Sequence, residues 1–239
     1  MLSDMLSDML LTSFVCVLII GLFLASRKLN SRFNTPLLNP LLVCIVTVSA
    51  FLIFANISYS EFIKVSYPIH FFLEIAVVAL AYPLYKQIHD IKRSLGLLLL
   101  CGFIGVTSAT LVAFILCKLF AVPDELLNSL LALSVTTPIT LIVTDGLNGI
   151  PAIAAFMVIL IGMFGAVFGL SILHLLKIKD QRAKGLALGV VCHGIGTAAA
   201  IEHHPQAGAF ASASMIISAL ITAVWVPILY AILTSLFAN

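Results

Sequence analysis

Apolar runs longer than a bilayer is thick recur along the whole chain, and they leave little choice of fold. The stretches near 95–120, 150–176 and 207–237 each exceed the roughly 20 residues a helix needs to cross a ~30 Å hydrocarbon core. No Asp, Glu, Lys or Arg interrupts the third of them. Unpaired peptide groups are too costly in that medium for anything but helices or closed barrels, and runs this long favour helices. Further segments near 10–26, 36–59, 66–86, 126–147 and 184–202 complete the set. The expected fold class is all-α: a polytopic helical membrane protein of about six to eight segments, forming one domain over 1–239. Composition agrees, with 62% hydrophobic and 9% charged residues against about a quarter charged in soluble domains. A net charge of +2 gives no ground for nucleic-acid binding.

The few charges report topology, because basic loops stay cytoplasmic. Arg27, Lys28 and Arg32 follow the first segment, which places the N-terminus outside. Asp4 and Asp8 stand where a cleavable leader would carry Lys or Arg, so none is expected. The loop 86–93 holds Lys86, Lys92 and Arg93 against Asp90. The loop 177–184 holds Lys177, Lys179, Arg182 and Lys184 against Asp180, while Asp124 and Glu125 mark an outside loop. If both basic loops lie inside, an even number of crossings separates them, yet three segments intervene. The middle one is interrupted at Thr136-Thr137-Pro138. Pro138 removes a backbone donor and disfavours helix at Thr137. Segment 126–147 is therefore expected to enter and leave on one face as a re-entrant hairpin. The alternative is an ordinary Pro-kinked span whose Thr hydroxyls bond back to carbonyls.

A second interruption lies in KGLALGVVCHGIGTAAAIE (184–202), which sets His193 and Thr197 among Gly185, Gly189, Gly194 and Gly196. Gly costs about 1 kcal/mol relative to Ala inside a helix, so the Gly194-Ile195-Gly196 step is expected to break it. Broken backbone survives at membrane depth only where protein or a wet cavity satisfies it. The plainer alternative is a His bonded to a neighbouring helix, with glycines permitting close packing. Two hairpins of opposite orientation are consistent with an inverted repeat, whose ligand sites form where discontinuous helices meet. Each break exposes a helix N-terminus with about half a positive charge and free N–H groups, suited to a small carboxylate. The candidate binding residues are Thr136, Thr137, Pro138, His193, Gly194, Gly196 and Thr197.

Elsewhere, Glu74 lies four residues after His70 on one helix face. It is the proton-coupling candidate, or else a structural group that fixes helix packing. Gly162, Gly165 and Gly169 suit tight helix contacts, within one chain or between copies in a homo-oligomer. Trp225 and Tyr230 are expected interface anchors, and His203 and His204 solvated loop residues. No nucleophile–base set, Cys-x-x-Cys spacing or phosphate loop occurs, so no enzyme activity, metal or cofactor is expected.

Three stretches, FFLEIAVVALAYPLYK (71–86), SVTTPITLIVTDGLNGIPA (134–152) and RAKGLALGVVCHGIGTAAAIE (182–202), resemble the LrgB/CidB membrane family, and the similarity runs from about residue 35 onward. Ile75 departs from it, since the family often has Pro after that Glu. The matching positions are Glu74, Thr136, Thr137, Pro138, Asp145, Gly146, His193, Gly194, Gly196 and Thr197. The resemblance implies holin- and antiholin-like control of murein hydrolase export and autolysis, with a small LrgA/CidA-type partner. The family is also similar to the plastid glycolate/glycerate translocator, which implies movement of small monocarboxylates such as glycolate, glycerate and pyruvate. The expectation is a secondary transporter or facilitator of small carboxylates, multi-pass in the inner (plasma) membrane. A holin-like regulator is the alternative.

Overall fold

The computed structural model describes residues 2–33, 38, 40–79 and 81–237; the side chains of a further few, His70 and Glu74 among them, lie outside that description. Every long element among the described residues is an α-helix, as the apolar runs require. The chain forms two compact units, Met1–Ala81 and Tyr82–Asn239.

The first unit packs α2 (Pro40–Phe54) and α3 (Tyr59–Ala79) against α1 (Leu2–Phe33). Ser26, in the apolar run of α1, is buried and returns its hydroxyl to the Leu22 carbonyl at 2.8 Å.

In the second unit, α4 (Ala81–Lys86) and α5 (Ile88–Arg93) lead into α6 (Leu95–Leu119). Short α7 (Asp124–Ser129) and α8 (Thr137–Gly146) precede α9 (Pro151–Leu175), α10 (Gln181–His203) and α11 (Pro205–Leu236). The rods α6 and α9 have 25 residues each, about 37 Å at 1.5 Å per residue, enough to cross a bilayer. Leu97, Leu100, Ile104, Phe156, Phe164, Leu220 and Val224 all point outward on α6, α9 and α11. Such faces are a liability in water and a match for lipid.

The unit has a basic end and an acidic end. At the basic end Ile91 and Leu98 pack on Ala209, Phe210 and Ala213, so α6 and α11 start together. Asp90 there lies within electrostatic reach of Arg182, which brings the loops 86–93 and 177–184 to the same end. At the acidic end Lys118 pairs with Asp124 at 3.0 Å. Phe114 and Phe237 sit with ring centroids 5.6 Å apart, so α6 and α11 also finish together.

Candidate functional site

Segment 126–147 doubles back on itself. The Asn128 side-chain amide donates to the Leu147 carbonyl at 2.7 Å, and the Ile150 N–H donates to the Ser129 hydroxyl at 2.6 Å. A continuous helix would hold residues 128 and 147 about 28 Å apart. Helices α7 and α8 are therefore the arms of a re-entrant hairpin whose mouth opens at the acidic end. Its tip, 130–136, is non-helical, ending in Thr136 at φ −66°, ψ 147°, with Pro138 in the first turn of α8. Proline fits there because the first turn has no helical acceptor for its missing N–H. Side chains satisfy the tip's buried carbonyls. Thr110 of α6 donates to Leu131 at 3.0 Å and Thr140 to Ala132 at 2.8 Å.

Segment 184–202 does the same from the other end. His203 Nε2 lies 3.1 Å from Gln181 Oε1, although a straight helix would separate them by about 33 Å. The chain reverses at His193, where φ is 42° and ψ −134°. The arms 181–192 and 194–203 each reach about 15–18 Å, half a bilayer. So α10 is long and apolar enough to cross a membrane yet turns back at mid-depth.

The reversal falls at His193 rather than in the expected Gly194–Gly196 step. A Cβ at Gly196 would lie 2.7 Å from the Leu188 carbonyl oxygen of the facing arm, so that glycine serves close approach. At this positive φ the His193 ring is anchored, with Nε2 3.0 Å from the Val158 carbonyl of α9 and the residue only 3% exposed. The glycines of α9 form a trough for the outer arm. A Cβ at Gly162 would stand 2.7 Å from the His193 ring and one at Gly169 2.6 Å from Leu188, while Gly165 faces Cys192. On the other side Gly185 and Gly189 press against the Ala207 and Ala211 carbonyls of α11. The small-residue pattern of segment six is thus used within the chain. Asp180 caps the outer arm by accepting from the Arg182 N–H at 2.8 Å. The Arg182 side chain, then its backbone N–H, holds the Asp180 carboxyl below the usual range.

Both tips reach the middle of the rods. Hairpin two meets α9 at Val158 and Gly162. On α6, Gly105 faces Val190 of hairpin two and Thr110 bonds Leu131 of hairpin one, only about 7.5 Å further along the helix.

Of the residues expected at the site, Thr136, Thr137 and Gly194 are half-buried and Pro138 is exposed. A side chain on Gly194 would meet open space. His193, Gly196 and Thr197 are buried, and the Thr197 hydroxyl points at the Met215 sulfur of α11 at 3.7 Å. Glu74 lies in α3, and its side chain is outside the described residues. Trp225, expected at an interface, is tied inward instead. Its indole N–H donates to Thr107 at 2.9 Å, and its ring sits 5.0 Å from Phe103, because Thr107 offers an acceptor halfway along α6. His203 is drawn into the mouth of hairpin two, where an open cleft of about 350 Å³ is lined by Leu170, Ser171, His174, Lys184 and His203. Sequence reading missed Asn128, Ser129, Thr110 and Thr140. Only their polarity inside apolar runs marked them.

Rods that cross a bilayer, with two opposed hairpins that enter it halfway, define a polytopic membrane protein with discontinuous helices at its centre. The chain belongs to the LrgB-like family, whose model matches residues 19–232. Holin-like protein CidB of Staphylococcus epidermidis is 31% identical over 94% of this chain and 98% of its own length. CidB of Staphylococcus aureus is 30% identical with the same coverage. Protein YxaC of Bacillus subtilis, described as uncharacterized, is 32% identical over 90% of this chain and 93% of its own. No solved structure matches.

Proposed function

We propose that this protein is a transporter or facilitator of small carboxylates in the inner (plasma) membrane of a bacterium. The observation that carries the reading is the pair of hairpins whose tips reach mid-depth from opposite ends. Discontinuous helices at the midplane are how secondary transporters present backbone N–H groups and helix dipoles to an anionic substrate. The first turn of α8 and the second arm of hairpin two supply those N-termini. Thr136, Thr137 and Gly194 are the accessible groups beside them; His193, Gly196 and Thr197 hold the turn behind. Three-carbon and two-carbon monocarboxylates such as pyruvate, glycerate and glycolate fit a site with hydroxyl and amide donors but no lysine or arginine. With the basic loops inside, the cleft at Lys184 and His203 is the cytoplasmic approach for an anion, and Glu74 is the candidate proton carrier.

A second reading is favoured by the holin-like names of the CidB relatives. It is a holin-like regulator of autolysis that acts with a small LrgA/CidA-type membrane protein or with further copies of itself. One experiment separates the two. Purified protein is reconstituted in liposomes with radiolabelled pyruvate, glycolate or glycerate outside and an entrapped dextran-sized dye inside. Carboxylate uptake with retained dye supports the carrier. Dye release, or no uptake above empty liposomes, overturns it.

A further inference from the structure

Helix α11 carries a stripe that touches both hairpins in turn. Met215 meets Thr197 of hairpin two. Val226, eleven residues on and within about 20° of the same face, packs in the cluster with Leu131, Ala132 and Val143 of hairpin one. Between them on that stripe lie Ser218 and Thr222, 0% and 1% exposed. A helical Ser or Thr in an apolar setting normally returns its hydroxyl to a carbonyl three or four residues earlier. On α11, Ser212 does so to Gly208, Ser218 to Met215 and Thr234 to Tyr230. Thr222 does not. Its hydroxyl is fully buried and finds no hydrogen-bond partner among the described residues, a costly state where the usual acceptor of a helical Thr is the carbonyl one turn back. A buried hydroxyl left open between two interrupted segments has the position of a group waiting for a ligand.

We propose that Thr222 is a third wall of the binding site, its hydroxyl donating to a carboxylate oxygen of a small monocarboxylate held between the two hairpin tips. The assignment rests on the carboxylate reading above and adds a residue from a helix that is not itself broken. Neither hairpin alone encloses an anion, and α11, like α6, runs past both.

The test is Thr222→Val, which keeps the shape and removes the hydroxyl, with Thr222→Ser as the conservative partner. Full-length protein in detergent is melted with and without millimolar pyruvate, then reconstituted for uptake. Without ligand, Thr222→Val melts at the wild-type temperature or above it, because an unpaired group has left the core. Its pyruvate-induced rise in melting temperature disappears and uptake falls roughly 10- to 100-fold, the range for a lost hydrogen bond to a charged group. Thr222→Ser retains most of both. A wild type that responds to pyruvate beside an equally responsive Thr222→Val overturns this assignment and leaves the carboxylate reading standing. A wild type that responds to none of pyruvate, glycolate and glycerate removes both. A ligand-free melting temperature well below wild type for Thr222→Val shows that the hydroxyl has a structural partner, which also overturns the assignment.

Discussion

The backbone reversal at His193 makes a prediction whose sign runs against ordinary helix chemistry. His193→Ala and His193→Gly both lose the imidazole, its burial and the 3.0 Å bond to Val158, so those losses cancel when the two variants are compared. What remains is the backbone. At φ 42° and ψ −134° the residue occupies a region that Gly dominates, like the first corner of a type II′ turn. A residue with a Cβ is held there at a cost of about 1–3 kcal/mol. Glycine gives back roughly 0.5–1 kcal/mol of that through its freer unfolded chain. The Gly variant should therefore be the more stable by about 0.5–2 kcal/mol, or several degrees at ~2–4 °C per kcal/mol for a chain of this size. In a continuous helix the order reverses, with Ala ahead by about 1 kcal/mol. Thermal unfolding of the two purified variants in one detergent decides it. An Ala variant as stable as the Gly variant, or more so, would refute the turn at residue 193 and with it hairpin two.

The mouth of that hairpin offers a direct distance test. In a background without the native cysteines, Gln181→Cys and His203→Cys should be joined by a short bifunctional thiol reagent. A helix passing straight through keeps them about 33 Å apart, and no joined product would form. The trough on α9 offers a paired comparison. Gly165→Ala brings a methyl group against Cys192, whereas Gly96→Ala on α6 meets nothing within 4 Å. The first should cost about 1–3 kcal/mol of stability and the second should be neutral or gain up to about 1 kcal/mol; equal effects would show that hairpin two does not lie in the trough.

Hairpin one was legible in the sequence because two local signals agreed. Pro138 forbade a smooth helix, and the basic loops on either side demanded an even number of crossings. Hairpin two was legible as an interruption, but its turning residue was not. Composition pointed to the glycines, whereas the turn is held by an imidazole bonded to a carbonyl 35 residues away. Gly162, Gly165 and Gly169 announced a close contact, and only the fold could say that the partner was an arm of the same chain. The mouth of hairpin one was invisible for a related reason. Asn128 and Ser129 read as ordinary polar residues until Leu147 and Ile150 are brought beside them. Trp225 misled because an amphipathic ring suits a membrane interface as well as it suits an acceptor buried among helices.

The distribution of polar groups bears on which reading of the family this architecture serves. A protein that acts by opening a lesion needs faces that associate with further copies, and polarity that lines the opening those copies make. Here the glycines of α9 that would allow close approach, Gly162, Gly165 and Gly169, are occupied by hairpin two. The buried hydroxyls of Thr140, Thr197, Ser218 and Thr222 lie inside the second unit, while its outward faces carry Leu, Ile, Phe and Val. Two costly features, His193 at positive φ and the unpartnered Thr222 hydroxyl, lie on elements that meet at the hairpins; Asn128 and Thr144 on the arms of hairpin one also leave a buried oxygen without a partner among the described residues. Strain and unmet hydrogen bonds persist where surrounding structure enforces them, which is typical of sites that bind something. The proposed carrier would also be compatible with the holin-like names of the relatives, because net movement of a weak-acid anion would alter the gradients across the membrane.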